Sequence, residues 1–223
     1  MGSIFLGIPE ELAERIALKY KLKSFIETGT YKGGTARWAS PIFEQVFTVE
    51  GSKELYELSK INLNALGNVR LIHSDSRKVL PDIIKSSPAP RMFWLDAHYT
   101  GGLDSYGEVE QCPLIEEILS ISPEKENNWI LIDDARLFLA PPVNDYDIGQ
   151  WPTLHNIMET LEKVQGSREI IVWNDVIISP PEEHFRDLRE IVSKMQAKKP
   201  QDRRTLIKGI QKNTIALIKY KKS

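Results

Sequence analysis

A single cysteine, Cys112, stands in the 223 residues. That scarcity excludes an internal disulfide and a cysteine-built zinc site, and it suits a reducing compartment. No apolar run approaches the ~20 residues needed to span a bilayer, and the first residues lack the basic-then-apolar order of a secretion leader. A cytoplasmic protein with no membrane partner is expected. Charge of one sign is also scarce overall, with a net of −2. It is uneven: residues 194–223 carry ten Lys and Arg against one acid, Asp202. No aromatic-interleaved basic motif of a nucleic-acid binder accompanies that stretch, so solvation and edge protection are expected and a nucleic-acid partner is not. There are no repeats or low-complexity tracts, and the 41% hydrophobic share suffices for one sizeable core. One domain over 1–223 is expected, with a capping helix inside 1–22 and an α/β core over 23–223. The oligomeric state is left open, a homo-oligomer included.

The glycine fingerprint of a dinucleotide site is missing as well. Residues 24–34 read Ser-Phe-Ile-Glu-Thr-Gly-Thr-Tyr-Lys-Gly-Gly, a strand-like run that breaks into glycines and then into a helix-compatible segment. Gly29 and either Gly33 or Gly34 would let a ligand approach the main chain closely. The spacing G-x-x-x-G-G lacks the second glycine that seats a pyrophosphate in G-x-G-x-x-G. Glu27, two residues before Gly29, would repel a pyrophosphate and attract a cation. A cationic nucleoside such as S-adenosylmethionine fits better than a nicotinamide dinucleotide.

What is present is an alternation. Pro9 to Tyr20 spaces Leu12, Ile16 and Tyr20 four apart, as an amphipathic helix does. Strand-like runs follow at 24–29, 46–50, 69–74, 92–96 and 129–133, with helix-like segments at 34–43, 52–65, 76–85 and 110–121. Such alternation builds a mostly parallel sheet covered on both faces. Beyond it, a helix is expected at 153–165, a strand at 169–178, a helix at 182–197 and a closing strand at 214–220. The turn-rich segment 139–152 reads as a loop over the site.

Acids recur where strands end, and in such sheets ligands bind beyond the carboxyl ends of the strands. Glu50 lies about 20 residues past the glycine turn, where a carboxylate can take both ribose hydroxyls; the competing role is a helix N-terminal acid. Asp75, helped by Ser74 or Ser76, is placed for an adenine amino group, or else Asp75 or Ser76 caps the next helix. Asp96, Asp133 and Asp134 end strands that would lie roughly 4.8 Å apart if adjacent, so a cation between them would offset their repulsion. An all-oxygen set suits Mg²⁺; alternatively, Asp96 holds the cofactor's amino group while Asp133 or Asp134 caps a turn. His98 is the candidate general base and Tyr99 the second.

The set Glu27-Thr-Gly-Thr-Tyr-Lys-Gly-Gly34, Val49-Glu50, Asp75, Leu95-Asp96 and Ile132-Asp133-Asp134 resembles the class I S-adenosylmethionine-dependent methyltransferases from Phe25 to Tyr220. Within them it resembles the metal-dependent O-methyltransferases of the macrocin and catechol type. The resemblance implies a Rossmann-like, doubly wound seven-stranded sheet in the order 3-2-1-4-5-7-6, with the last strand antiparallel. It implies cofactor contacts at Glu27, Gly29, Thr30, Gly33, Glu50, Asp75, Ser76 and Asp96, and metal ligands at Asp96, Asp133 and Asp134. Asp96, His98 and Tyr99 are the expected catalytic residues, the last two from their place beside the proposed metal. The catechol-type lysine three residues after the first metal Asp is Tyr99 here. A small hydroxylated acceptor, a sugar or a phenol, is the expected partner. A non-catalytic nucleoside-binding protein and a nicotinamide oxidoreductase are the alternatives.

Overall fold

The central strand, β1 (Ser24–Thr28), is buried at every position in the computed structural model, on both faces of its sheet. A five-residue run with no outward-facing polar alternation can form only where helices cover both sides. The model describes residues 7–98, 111–121, 128–141, 147–165 and 169–198. Around β1 lie β2 (Gln45–Glu50), β3 (Val69–His73), β4 (Arg91–Leu95) and β5 (Trp129–Ile132), all parallel. Helices α1 (Glu10–Tyr20), α2 (Gly34–Ala39), α3 (Lys53–Leu63), α4 (Ser76–Ser86) and α5 (Leu114–Ile121) alternate with them. After α6 (Leu154–Gln165) come β6 (Ile171–Trp173) and β7 (Val176–Ser179).

The sheet has seven strands in the order β3-β2-β1-β4-β5-β7-β6, with β7 antiparallel to both neighbours. This is the order implied by the resemblance, but its last two strands arise differently from the reading of the sequence. The run 169–178 is not one strand. Asn174 and Asp175 both have positive φ, 51° and 67°, and turn the chain back on itself. Two consecutive left-handed residues match the twist of a two-residue hairpin, and short polar Asn and Asp tolerate that conformation. The closing strand read at 214–220 lies outside the described residues, and the seven strands described do not include it.

One face of the sheet packs Ile26, Phe93, Leu95 and Ile130 against Leu80, Ile118 and Ile157, all fully or nearly fully buried. The chain divides into one compact unit running to Arg186 and a second from Asp187. The sheet lies in the first. The described part of the second is the remainder of α7 (Phe185–Lys198), where Lys194 and Glu190 pair one turn apart at 3.4 Å. No helix among the described residues is long and apolar enough to cross a membrane.

Candidate functional site

Where β1 to β5 end, the chain leaves the sheet on one side, and a cavity of about 530 Å³ opens there. Gly29 makes the first exit. Its φ is +84°, and a Cβ there would stand 2.4 Å from the carbonyl oxygen of Asp96. Only glycine permits that approach. Gly33 also has positive φ, +79°, but a Cβ on it would meet Leu63, and Gly34 is the one that faces the cavity.

Glu27 lies under the floor and not on the wall. It is 1% exposed, and parallel register sets it beside Thr48, whose hydroxyl donates to it at 2.6 Å. Thr48 in turn shares a 2.6 Å hydrogen bond with Thr30, which lines the cavity. Burial pushes the Glu27 carboxyl up to about 8; the Thr48 hydroxyl opposes this and the Asp96 charge adds to it. Glu50 faces the cavity and accepts backbone N–H bonds from Tyr31 at 2.8 Å and Ser52 at 2.9 Å. Burial raises it, against those two donors. Neither glutamate has an ion-pair partner among the described residues.

Asp75 caps α4, accepting from the Arg77 N–H at 3.0 Å, and pairs with the Arg77 guanidinium at 2.6 Å. The Arg77 hydrogen bond holds this carboxyl below its ordinary value. The capping role weighed from the sequence is therefore present, while Asp75 and Ser76 still border the cavity.

Across the cavity stand Asp96, His98, Asp133, Asp134 and Arg136. The His98 Nε2 lies 3.4 Å from Asp96 Oδ1 and 3.3 Å from Asp134 Oδ2. Neither ring nitrogen has an aligned hydrogen bond among the described residues, so these contacts act as charge pairs. Burial lowers the His98 imidazole, but Asp134 and Asp96 outweigh it and the net shift is upward. Burial raises Asp134, yet the His98 and Arg136 side chains bring it below its usual value. Arg136 also pairs with Asp175 in the β6–β7 turn. Burial raises Asp96 and Asp133; the Asp133 charge adds to the rise of Asp96 and the Asp134 charge to that of Asp133, and the Asp133 carboxylate takes the Asp134 N–H at 2.8 Å.

The expected metal centre meets this arrangement badly. No group of three His, Cys, Asp or Glu side chains suited to a metal ion occurs among the described residues. The physical reason is visible in the pairs: an imidazole stands between Asp96 and Asp134, and a guanidinium holds Asp134 from the other side. The repulsion that called for a cation is offset by side chains instead.

Glu117, on α5, escaped the sequence reading. It is 1% exposed, takes the Ser76 hydroxyl at 2.5 Å, and is raised by burial to about 7, with the Ser76 and Thr28 hydroxyls opposing. A signal existed: Leu114, Ile118 and Ile121 form an apolar stripe on which position 117 also falls. Of the aromatic residues, Trp94 is core, Tyr31 is exposed at the rim, and the Trp151 ring lies 5.4 Å from that of His98 and 5.8 Å from Phe138. Trp38 packs edge-on to Phe25 instead. Tyr99, Tyr106 and Tyr146 lie outside the described residues. His73 is exposed and stacks on Tyr56, at the end of the edge strand.

No protein-family model matches the chain, and no curated protein matches its sequence. Solved structures do match its fold. The O-methyltransferase TomG from Streptomyces achromogenes, involved in tomaymycin synthesis and solved in complex with SAM, is 14% identical, with 80% of this chain and 82% of that one covered at a TM-score of 0.53. An O-methyltransferase from Bacillus cereus in complex with SAH is 12% identical over 78% of this chain and 82% of that one, at a TM-score of 0.50. At such identities the likeness is one of fold. This chain has a Rossmann-like methyltransferase fold and resembles the class I S-adenosylmethionine-dependent O-methyltransferases.

Proposed function

We propose that this protein transfers the methyl group of S-adenosylmethionine to a hydroxyl oxygen of a small molecule, a sugar or a phenol in the first instance. The observation that carries this is one cavity bordered by the Gly29 turn, Glu50, Asp75–Ser76 and Asp96–His98. In the proposed pose the glycine turn admits the methionyl part, Glu50 takes the ribose hydroxyls, and Asp75 and Ser76 meet the adenine edge. The sulfonium charge then lies in a cavity whose wall acid Glu50, with Glu27 beneath the floor, has no ion-pair partner among the described residues, which favours a cation there over a neutral ligand.

In the transfer, a lone pair on the acceptor oxygen forms the O–CH₃ bond as the C–S bond breaks, and its electrons return to sulfur. Positioning of oxygen, carbon and sulfur in line supplies much of the rate. The acceptor's proton passes to the neutral form of His98, and Asp96 and Asp134, beside its Nε2, stabilise the imidazolium that results. Trp151, buried against His98 and Phe138, backs the imidazole from the core side. Magnesium gains no support from the paired acids, and no step is routed through a metal. Tyr99 remains the second candidate base.

The test is incubation with methyl-labelled S-adenosylmethionine and a panel of sugars, glycosides and phenols, reading transferred label and S-adenosylhomocysteine formed. Label appearing on an acceptor oxygen supports the reading. A protein that binds NAD and fails to bind S-adenosylhomocysteine removes it.

A further inference from the structure

A carboxyl group in an apolar stripe is costly to bury, and a leucine at position 117 would extend the face made by Leu114, Ile118 and Ile121. What Glu117 obtains in return is not an ion pair, since none is made to it among the described residues. It obtains two hydroxyl groups from different elements. Ser76, the first residue of α4, donates its Oγ–H at 2.5 Å. Thr28, the last residue of β1, bonds to it through its own hydroxyl, and the Thr28 Oγ1 also accepts the Asp96 N–H at 3.3 Å. The chain Asp96 N–H, Thr28 hydroxyl, Glu117 carboxyl, Ser76 hydroxyl therefore runs beneath the cavity and joins the ends of β1, β4 and α4.

Its two outer members, Asp96 and Ser76, border the cavity, whereas Glu117 does not. Resting on the methyltransferase reading, we propose that Glu117 is a positioning residue for the cofactor: from α5 it ties Ser76 to Thr28 and so fixes the distance between the adenine wall and the sulfur wall. Buried acceptors that take two hydroxyls are satisfied without competing for ligand, and they restrict the rotamers of the residues that do touch it. The upward shift of Glu117 fits a group kept away from solvent by this arrangement.

The experiment compares S-adenosylhomocysteine affinity, by calorimetry, for wild type, Glu117→Gln, Ser76→Ala and the double variant. Losing a charge-assisted hydrogen bond should weaken binding about tenfold in Glu117→Gln and by about the same in Ser76→Ala. Because both act through one chain, the double variant should be no weaker than about twofold beyond either single one. Ile118→Val, a core change on the same helix, should lower the melting temperature and leave affinity unchanged, which separates positioning from stability. Glu117→Gln or Ser76→Ala binding within about twofold of wild type, or effects that multiply in the double variant, would overturn the proposal. If Glu117→Gln does not fold, Thr28→Val decides, since it removes the other hydroxyl donor to Glu117 at a residue that does not border the cavity. Wild type that binds no S-adenosylhomocysteine would overturn the methyltransferase reading itself; wild type that binds with Glu117→Gln unaffected would remove only the role of Glu117.

Discussion

The two halves of the cavity handle negative charge in opposite ways. Where β1 and β2 end, Glu27 and Glu50 are hydrogen-bonded by neutral groups, the Thr48 hydroxyl and the backbone N–H of Tyr31 and Ser52. Where β4 and β5 end, Asp96 and Asp134 are met by nitrogen-bearing side chains, the His98 imidazole and the Arg136 guanidinium. Neutral donors lower the cost of burying a carboxylate but leave its charge uncancelled; ion pairs cancel it. The first half, the unbalanced one, therefore holds its acids with no ion-pair partner among the described residues, while the second sets an imidazole and a guanidinium beside its acids, which offset their repulsion only in part. In the proposed reaction the first half holds the cationic cofactor and the second holds and moves a proton.

Four changes break or sharpen this contrast. The largest effect is expected from His98→Ala, which removes the proposed base from the second half: turnover should fall by about 10²–10⁴-fold, with affinity for S-adenosylhomocysteine held within about threefold, as steady-state kinetics and calorimetry would show. Turnover within fivefold or so of wild type would end the role of His98 as base. Next comes Gly29→Ala, at the seam between the halves. A Cβ there meets the Asp96 carbonyl at 2.4 Å with φ at +84°, so a loss of about 2–4 kcal/mol in denaturant unfolding is expected, and an unchanged midpoint would mean that the two strand ends do not approach so closely.

Asp96→Asn should lower turnover about tenfold while shifting the melting temperature by no more than about 3 °C. It removes one acid from a mutually repelling set in which Asp133 and Asp134 raise Asp96. Strong destabilisation would show that Asp96 serves folding first. The smallest effect concerns Glu27. Its folded value of about 8 lies above its ordinary 4.5, so the folded state keeps a proton that the unfolded chain has lost. Stability contributed by this group is complete below about pH 4.5 and is lost as pH rises through about 8, with a slope below about 1.4 kcal/mol per pH unit. Glu27→Gln should flatten the fall in melting temperature between pH 5 and 9, and an identical profile for both proteins would deny the burial of an uncompensated acid.

The parallel core of the sheet was legible because β-branched and aromatic runs recur at the interval of a strand and a helix, and each of the first five strands lies within a residue or so of its sequence reading. The hairpin was not, since Ile171 to Ser179 reads as one hydrophobic run unless Asn174 and Asp175 are given their turn tendency. The acids at the strand ends were legible from position alone, and Glu50, Asp75, Asp96, Asp133 and Asp134 do border one cavity. Their partners were not. That His98 and Arg136 answer these acids depends on where side chains point after the chain leaves the sheet, which spacing does not encode. Glu117 was hidden for another reason: Glu116 and Glu117 look alike in sequence, and only the register of the apolar stripe turns one outward and the other, 1% exposed, inward.

The unbalanced half is tested most directly by counting protons on binding. Calorimetric titration at pH 7, in two buffers of different ionisation enthalpy, reads the protons released with S-adenosylmethionine and with S-adenosylhomocysteine. The account predicts that the sulfonium ligand binds and expels part of a proton from the buried acids, and that the uncharged thioether expels measurably less. Equal release by the two ligands, or no binding of S-adenosylmethionine, would contradict it.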